Sequence, residues 1–128
     1  MTYEELEQAV QVHFRDNVFS VPVVYDNIAQ DIDAKSLWSR LTIEPTTSEN
    51  LGIGSKRTIK DGNIVLQVFA PIDSGTRASV RVVDEFLALF ENTELDCLVF
   101  FYEGEMIRIG DEGNGWYQLN AEVRFQAT

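Results

Sequence analysis

The stretch from Tyr117 to Phe125 alternates without a break. Tyr117, Leu119, Ala121, Val123 and Phe125 share one side, and Gln118, Asn120, Glu122 and Arg124 share the other. A period of two sustained this long is a strand. It also requires a sheet with one apolar face and one polar face, since a slip of one residue would invert every side chain. Something must cover the apolar face.

Two segments have the right periodicity to do so. Leu6, Ala9, Val10, His13 and Phe14 recur at helical spacing, which predicts a helix over about 3–15. Thr2 and Glu5 are spaced as a capping box at its start, while Asn17 and Pro22 argue against its continuing far. Val82, Val83, Phe86, Leu87 and Phe90 form a second apolar stripe, with Arg81, Asp84, Glu85 and Glu91 around it. That predicts a helix over about 75–91, with caps offered by Asp73, Ser74 and Gly75.

The remaining segments read as strands and turns. Pro22–Tyr25 is a short extended piece, and Asp26–Lys35 a polar, acidic loop. Leu37, Ser39, Leu41 and Ile43 alternate with Trp38, Arg40 and Thr42, giving a strand over 36–43. Glu44–Arg57 holds Pro, Thr, Ser, Asn and two glycines, and reads as a flexible loop or a hairpin arm. Ile64–Ala70 is an apolar central strand closed by Pro71. Asp61-Gly62 before it is either a tight turn or a bulge, and the bulge is the preferred reading. Leu98–Tyr102 and Met106–Ile109 read as two strands joined by a turn at Glu103-Gly104. The polar side of the last strand, over 116–126, is expected to be available at a sheet edge. The order helix, strands, helix, strands gives an α+β fold, with two helices packed on one mostly antiparallel sheet. At 128 residues the chain, 1–128, suits a single domain.

Charge narrows the function. Acidic residues outnumber basic ones 21 to 10, for a net charge of −11 and a pI near 4.3. Such a surface repels phosphates, which argues against specific nucleic-acid binding. No apolar run approaches the ~18 residues of a membrane span. The start of the chain is polar and acidic, unlike a signal peptide.

Reactive groups are few. His13 is the lone histidine and sits in the apolar stripe of the first helix, where packing is the expected role. Cys97 is the lone cysteine, so no disulfide within the chain and no cysteine-rich zinc site is expected. Its neighbours Glu94, Asp96 and Glu103 would raise its pKa, and an inert, partly buried thiol is expected. Asp31 and Asp33 flank Ile32, and Asp111-Glu112-Gly113-Asn114 lacks the full calcium-loop spacing. Leu51–Arg57 lacks the Walker spacing. No catalytic site, metal or cofactor is therefore expected. Asn50, Lys56, Arg57 and Lys60 are the candidate protein-interface residues, since a basic cluster on an acidic protein suits an acidic protein partner.

The chain resembles the phage tail terminator-like family. The likeness rests on the N-terminal helix, Tyr25-Asp26-Asn27, and the Leu51–Arg57 loop with its glycines and basic residues. It continues through Val68-Phe69-Ala70-Pro71, the amphipathic segment Gly75–Phe90 and Gly115-Trp116-Tyr117 before the alternating strand. The acidity and the Asp31-Ile32-Asp33 insert depart from the family pattern. The resemblance implies a virion structural protein made in the host cytoplasm, a homo-oligomer forming a hexameric ring. It also implies a tail tube protein and a head–tail connector as partners, and a lumen through which DNA passes. A connector or tube-like subunit, or a soluble host binding module, are the alternatives.

Overall fold

Both helices lie on the same side of one sheet, and its strand order is β1-β2-β3-β6-β5-β4. The computed structural model describes residues 1–16, 36–50, 52, 54, 58–73, 75–111, 113 and 115–128, and the backbone of 23–25. The elements are α1 (Tyr3–Asp16), β1 (Val23–Tyr25), β2 (Trp38–Asn50), β3 (Thr58–Pro71), α2 (Arg77–Phe90), β4 (Glu94–Leu95), β5 (Val99–Asp111) and β6 (Trp116–Ala127). β1 runs parallel to β2, and every other described pairing is antiparallel. This is the expected α+β fold in one domain. The expected loop at 26–35, Pro22, Lys56 and Arg57 fall outside the described residues.

Local chemistry sets the helix ends. Thr2 Oγ1 accepts the Glu5 N–H at 3.1 Å, and the Thr2 carbonyl accepts the Leu6 N–H at 3.0 Å. The first bond satisfies a donor that a helix start leaves orphaned, and the second is the first bond of the helix ladder. α2 begins at Arg77, two residues later than the expected start near 75. Asp73 (φ 66°) and Gly75 (φ 79°) are left-handed and cannot join a right-handed helix. Thr76 stands at the N-cap without a side-chain capping bond.

Two strands run longer than their composition suggests. β2 continues past Ile43 to Asn50, because Glu44–Asn50 pair with Asn63–Thr58 of β3. These residues are one arm of a hairpin. The register slips between Pro45 and Thr47, so the bulge lies on β2, opposite Gly62 and Asp61, and β3 runs through unbroken. Gly62 leaves no room for a side chain: an added Cβ would meet the Glu44 carbonyl oxygen, Phe125 Cζ at 2.8 Å and Pro45 Cα at 2.9 Å. β5 is a single strand from Val99 to Asp111, so the turn expected at Glu103-Gly104 is instead a bulge, and a second slip falls between Arg108 and Gly110. Gly104 packs too closely for a Cβ, which would meet Leu87 Cδ2 and, at 3.0 Å, Val123 Cγ2. The chain kinks there without reversing.

The core lies between the helices and the inner sheet face. Leu6, Val10 and Phe14 from α1 and Val82, Val83, Phe86 and Phe90 from α2 meet Ile64, Leu66, Val68, Leu119, Val123 and Phe125. Phe90 is its hub, with ring centroids 5.0 Å from Phe86, 5.1 Å from His13, 5.2 Å from Phe101 and 6.3 Å from Phe14. Phe90→Ala should cost about 3–5 kcal/mol, a large share of the roughly 5–15 kcal/mol typical of a domain. A urea denaturation midpoint within error of the unmodified protein would contradict this.

Candidate functional site

The outer face of the sheet is covered by neither helix. Strand alternation places Trp38, Arg40, Thr42 and Glu44 of β2 on it, with Asn63, Val65, Gln67 and Phe69 of β3. Gln118, Asn120, Glu122 and Arg124 of β6 and Phe100, Tyr102 and Glu105 of β5 complete it.

This face has three zones. At one end Trp38 stacks on Phe69 at 4.3 Å and meets the edge of Trp116 at 6.0 Å. The Arg40 guanidinium sits 5.5 Å above the Trp38 ring and 5.9 Å above Phe69, a cation–π arrangement that holds the group in place. The Trp38 Nε1 donor is buried without an acceptor among the described residues. At the other end Arg124 lies 4.6 Å over Tyr102, and Gln126 Nε2 donates to Asp61 Oδ1 at 3.4 Å.

Between them lies an acidic zone. Glu122 is directly opposite Glu105 on β5. Partial burial raises the Glu122 pKa above the usual carboxylate range, and the charges of Glu105 and Glu44 raise it further. Like charges facing one another across a strand pair destabilise the sheet.

The edges of the sheet complete the surface. β6 lies between β3 and β5, so the edge position expected for the last strand belongs to β5 instead. The pattern of one strand reveals its faces and not its neighbours, which is why the sequence misplaced it. β4 pairs only with Val99 and Phe100. The Phe101 N–H donates to the Thr93 carbonyl at 2.8 Å, the Tyr102 carbonyl accepts the Asn92 N–H at 3.1 Å, and the Gly104 N–H donates to Glu91 Oε2 at 3.1 Å. From Glu105 to Asp111, β5 has no outer strand partner among the described residues. Met106 is 40% exposed there and Ile109 37%.

The predicted interface residues are not gathered into one site. Asn50 ends β2, exposed, its Oδ1 accepting the Gly52 N–H at 3.2 Å. Lys60 is engaged within the fold: its Nζ donates to the Met1 carbonyl at 2.8 Å and to Thr58 Oγ1 at 2.9 Å, and lies 5.1 Å from the Tyr3 ring. Lys56 and Arg57 lie between these two, outside the described residues. Sequence reasoning missed the acidic zone because its three members come from three strands and meet only through register.

His13 and Cys97 occupy separate places. The His13 ring packs edge-on against Phe90, and its Nε2 is 3.1 Å from the Leu89 carbonyl oxygen. Cys97 is exposed rather than partly buried, in a turn where Asp96 (φ 53°) and Cys97 (φ 57°) are both left-handed. A hydrogen bond to Glu94 raises the Cys97 pKa most, followed by the Glu94 charge, with Asp96 adding to it. That disfavours the nucleophilic thiolate. Among the described residues no group of His, Cys, Asp and Glu is placed to hold a metal ion, and no helix is long and apolar enough to cross a membrane.

Among the described residues, the outer sheet face is covered by neither helix and β5 has no outer strand partner beyond Glu105. Comparison with known proteins gives the class. The family model described as phage tail terminator protein matches residues 5–125. The chain belongs to the phage tail terminator protein family, and its role is structural, in the tail of the virion. A solved structure is similar with a TM-score of 0.77 and 17% identity, over 100% of this chain and 96% of that one, which shows a shared fold. No curated protein matches the chain.

The acidic zone yields a pH signature. The folded state holds the Glu122 proton more tightly than the unfolded chain does, so ionised Glu122 works against folding at neutral pH. The penalty fades as pH falls through the raised folded value toward the ordinary one. Glu122→Gln should therefore stabilise the subunit at pH 7 by roughly 0.2–1 kcal/mol, the scale of a cross-strand pair, with the gain vanishing in acid. Thermal melts of both proteins across pH 4–7 check this, and a constant gap would exclude it.

Proposed function

We propose that this chain is the tail terminator subunit itself. Six copies close into a ring on the head-proximal end of the finished tail tube, stop its polymerisation and present a joining surface to the head connector. The family match over almost the whole chain carries this reading. The outer face and the end of β5 support it, since no described element of the subunit covers the one or pairs with the other. The acidic surface suits a ring through which DNA slides, because phosphates find few cations to bind.

In this reading residues 1–128 form one terminator domain, and the end of the β2–β3 hairpin is an arm that reaches the tube or the connector. Asn50, Lys56 and Arg57 are its contact residues, and Lys60 fastens the base of the arm. Neither catalysis nor a cofactor enters the role.

Electron microscopy of particles made without this protein tests the proposal. Overlong, headless tails are expected. Filled heads without a neck ring would assign the chain to the connector, and absent tails would assign it to the tube. In the same assay Cys97→Ser should complete tails at the normal yield, because the thiol is exposed and held in its protonated form. Loss of completion by a folded Cys97→Ser protein would overturn the non-catalytic reading of that residue.

A further inference from the structure

Most described cations are occupied within the subunit. Arg15 pairs with Asp16 at 3.4 Å, Arg40 covers Trp38 and Phe69, and Arg124 covers Tyr102. Lys60 holds the Met1 carbonyl, and Arg108 Nη1 donates to the Tyr117 hydroxyl at 3.1 Å. Arg77 and Arg81 are different. Both are exposed, one turn apart at the start of α2, and neither makes an ion pair or hydrogen bond among the described residues.

The position of Arg77, in the first turn, is unfavourable in a free subunit. The start of a helix carries partial positive charge, which favours acidic side chains and disfavours basic ones. The first turn of α2 has no acidic residue, and Thr76 supplies no side-chain cap. The sheet has the opposite problem on its far side: Glu105 faces Glu122 across the strands, and Glu44 acts on the same carboxyl. α2 packs on the inner face of the sheet, so Arg77 and Arg81, followed along the helix by Asp84 and Glu85, point away from the acidic zone and cannot meet it within one molecule.

We propose that the uncovered sheet face docks a second copy of this chain, with Arg77 and Arg81 of one copy set against Glu44, Glu105 and Glu122 of the next. This rests on the ring reading above and names its contact. The argument is charge complementarity: one contact relieves two unfavourable arrangements. Because it joins opposite sides of the molecule, it is head-to-tail, and such contacts close into rings when the rotation between copies permits.

A charge exchange tests this with the full chain. Native mass spectrometry would read assembly with and without purified tail tubes, and circular dichroism would check folding. The R77E/R81E protein carries acid on both surfaces, and the E105K/E122K protein carries base on both. Each alone should stay monomeric. Mixed in equal amounts they should form rings in which the two variants alternate, holding equal numbers of each. Variants that assemble alone like the unmodified protein, or a mixture of folded variants that stays monomeric, would overturn the proposal.

A milder pair covers the case in which a charge reversal unfolds the subunit. E105Q/E122Q should stabilise the subunit yet raise the concentration for half-assembly about tenfold. Unchanged assembly would count against the contact. Failure of the unmodified protein to form rings, with or without tubes, would instead remove the ring reading and this contact with it. Rings from the unmodified protein together with normal rings from the variants would remove the contact alone.

Discussion

The structure depends on burying one face of one sheet. Phe14, Phe86 and Phe90 bring aromatic mass from the two helices, and β3 and β6 receive it through Ile64, Leu66, Val68, Leu119, Val123 and Phe125. These two strands occupy the middle of the sheet. Each buried aromatic removes on the order of 150–250 Å² from water, so the interface between helices and sheet is where most of the folding energy must arise. Other features follow from it. Gly62 and Gly104 are needed where the strands and α2 crowd together. His13 can sit among apolar groups because the Leu89 carbonyl oxygen is within hydrogen-bonding reach.

One-sided burial has a second effect. Both helices serve the inner face, so the outer one relies on side chains that protect themselves. The Trp38–Phe69–Trp116 cluster with Arg40, and Arg124 over Tyr102, do this at the two ends. The middle is left to carboxylates that repel each other. A surface arranged so leaves like charges facing one another in the lone subunit.

Periodic segments were legible in the sequence. Both helices, the faces of β6 and the central position of the Ile64–Ala70 run follow from spacing, because burial imposes the period directly. Elements held by pairing alone were not. Glu44–Asn50 has the composition of a loop and becomes strand only because Asn63–Thr58 lies beside it. Glu103-Gly104 has the composition of a turn, and pairing with β6 on both sides of it makes it a bulge. The functional surface was harder still to read. The basic residues Lys56, Arg57 and Lys60 stand out by adjacency in sequence, whereas Glu44, Glu105 and Glu122 become neighbours only through strand register.

The two bulges of β5 bear on a hazard of manufacture. A flat, apolar strand edge invites copies to add to one another indefinitely. Register slips at Phe101/Gly104 and at Arg108/Gly110 bracket the exposed Met106. Each slip bends the strand and tightens its twist, so a straight strand laid alongside matches it over only a few residues. The edge can thus give a brief grip to a shaped partner while offering a poor template for fibres.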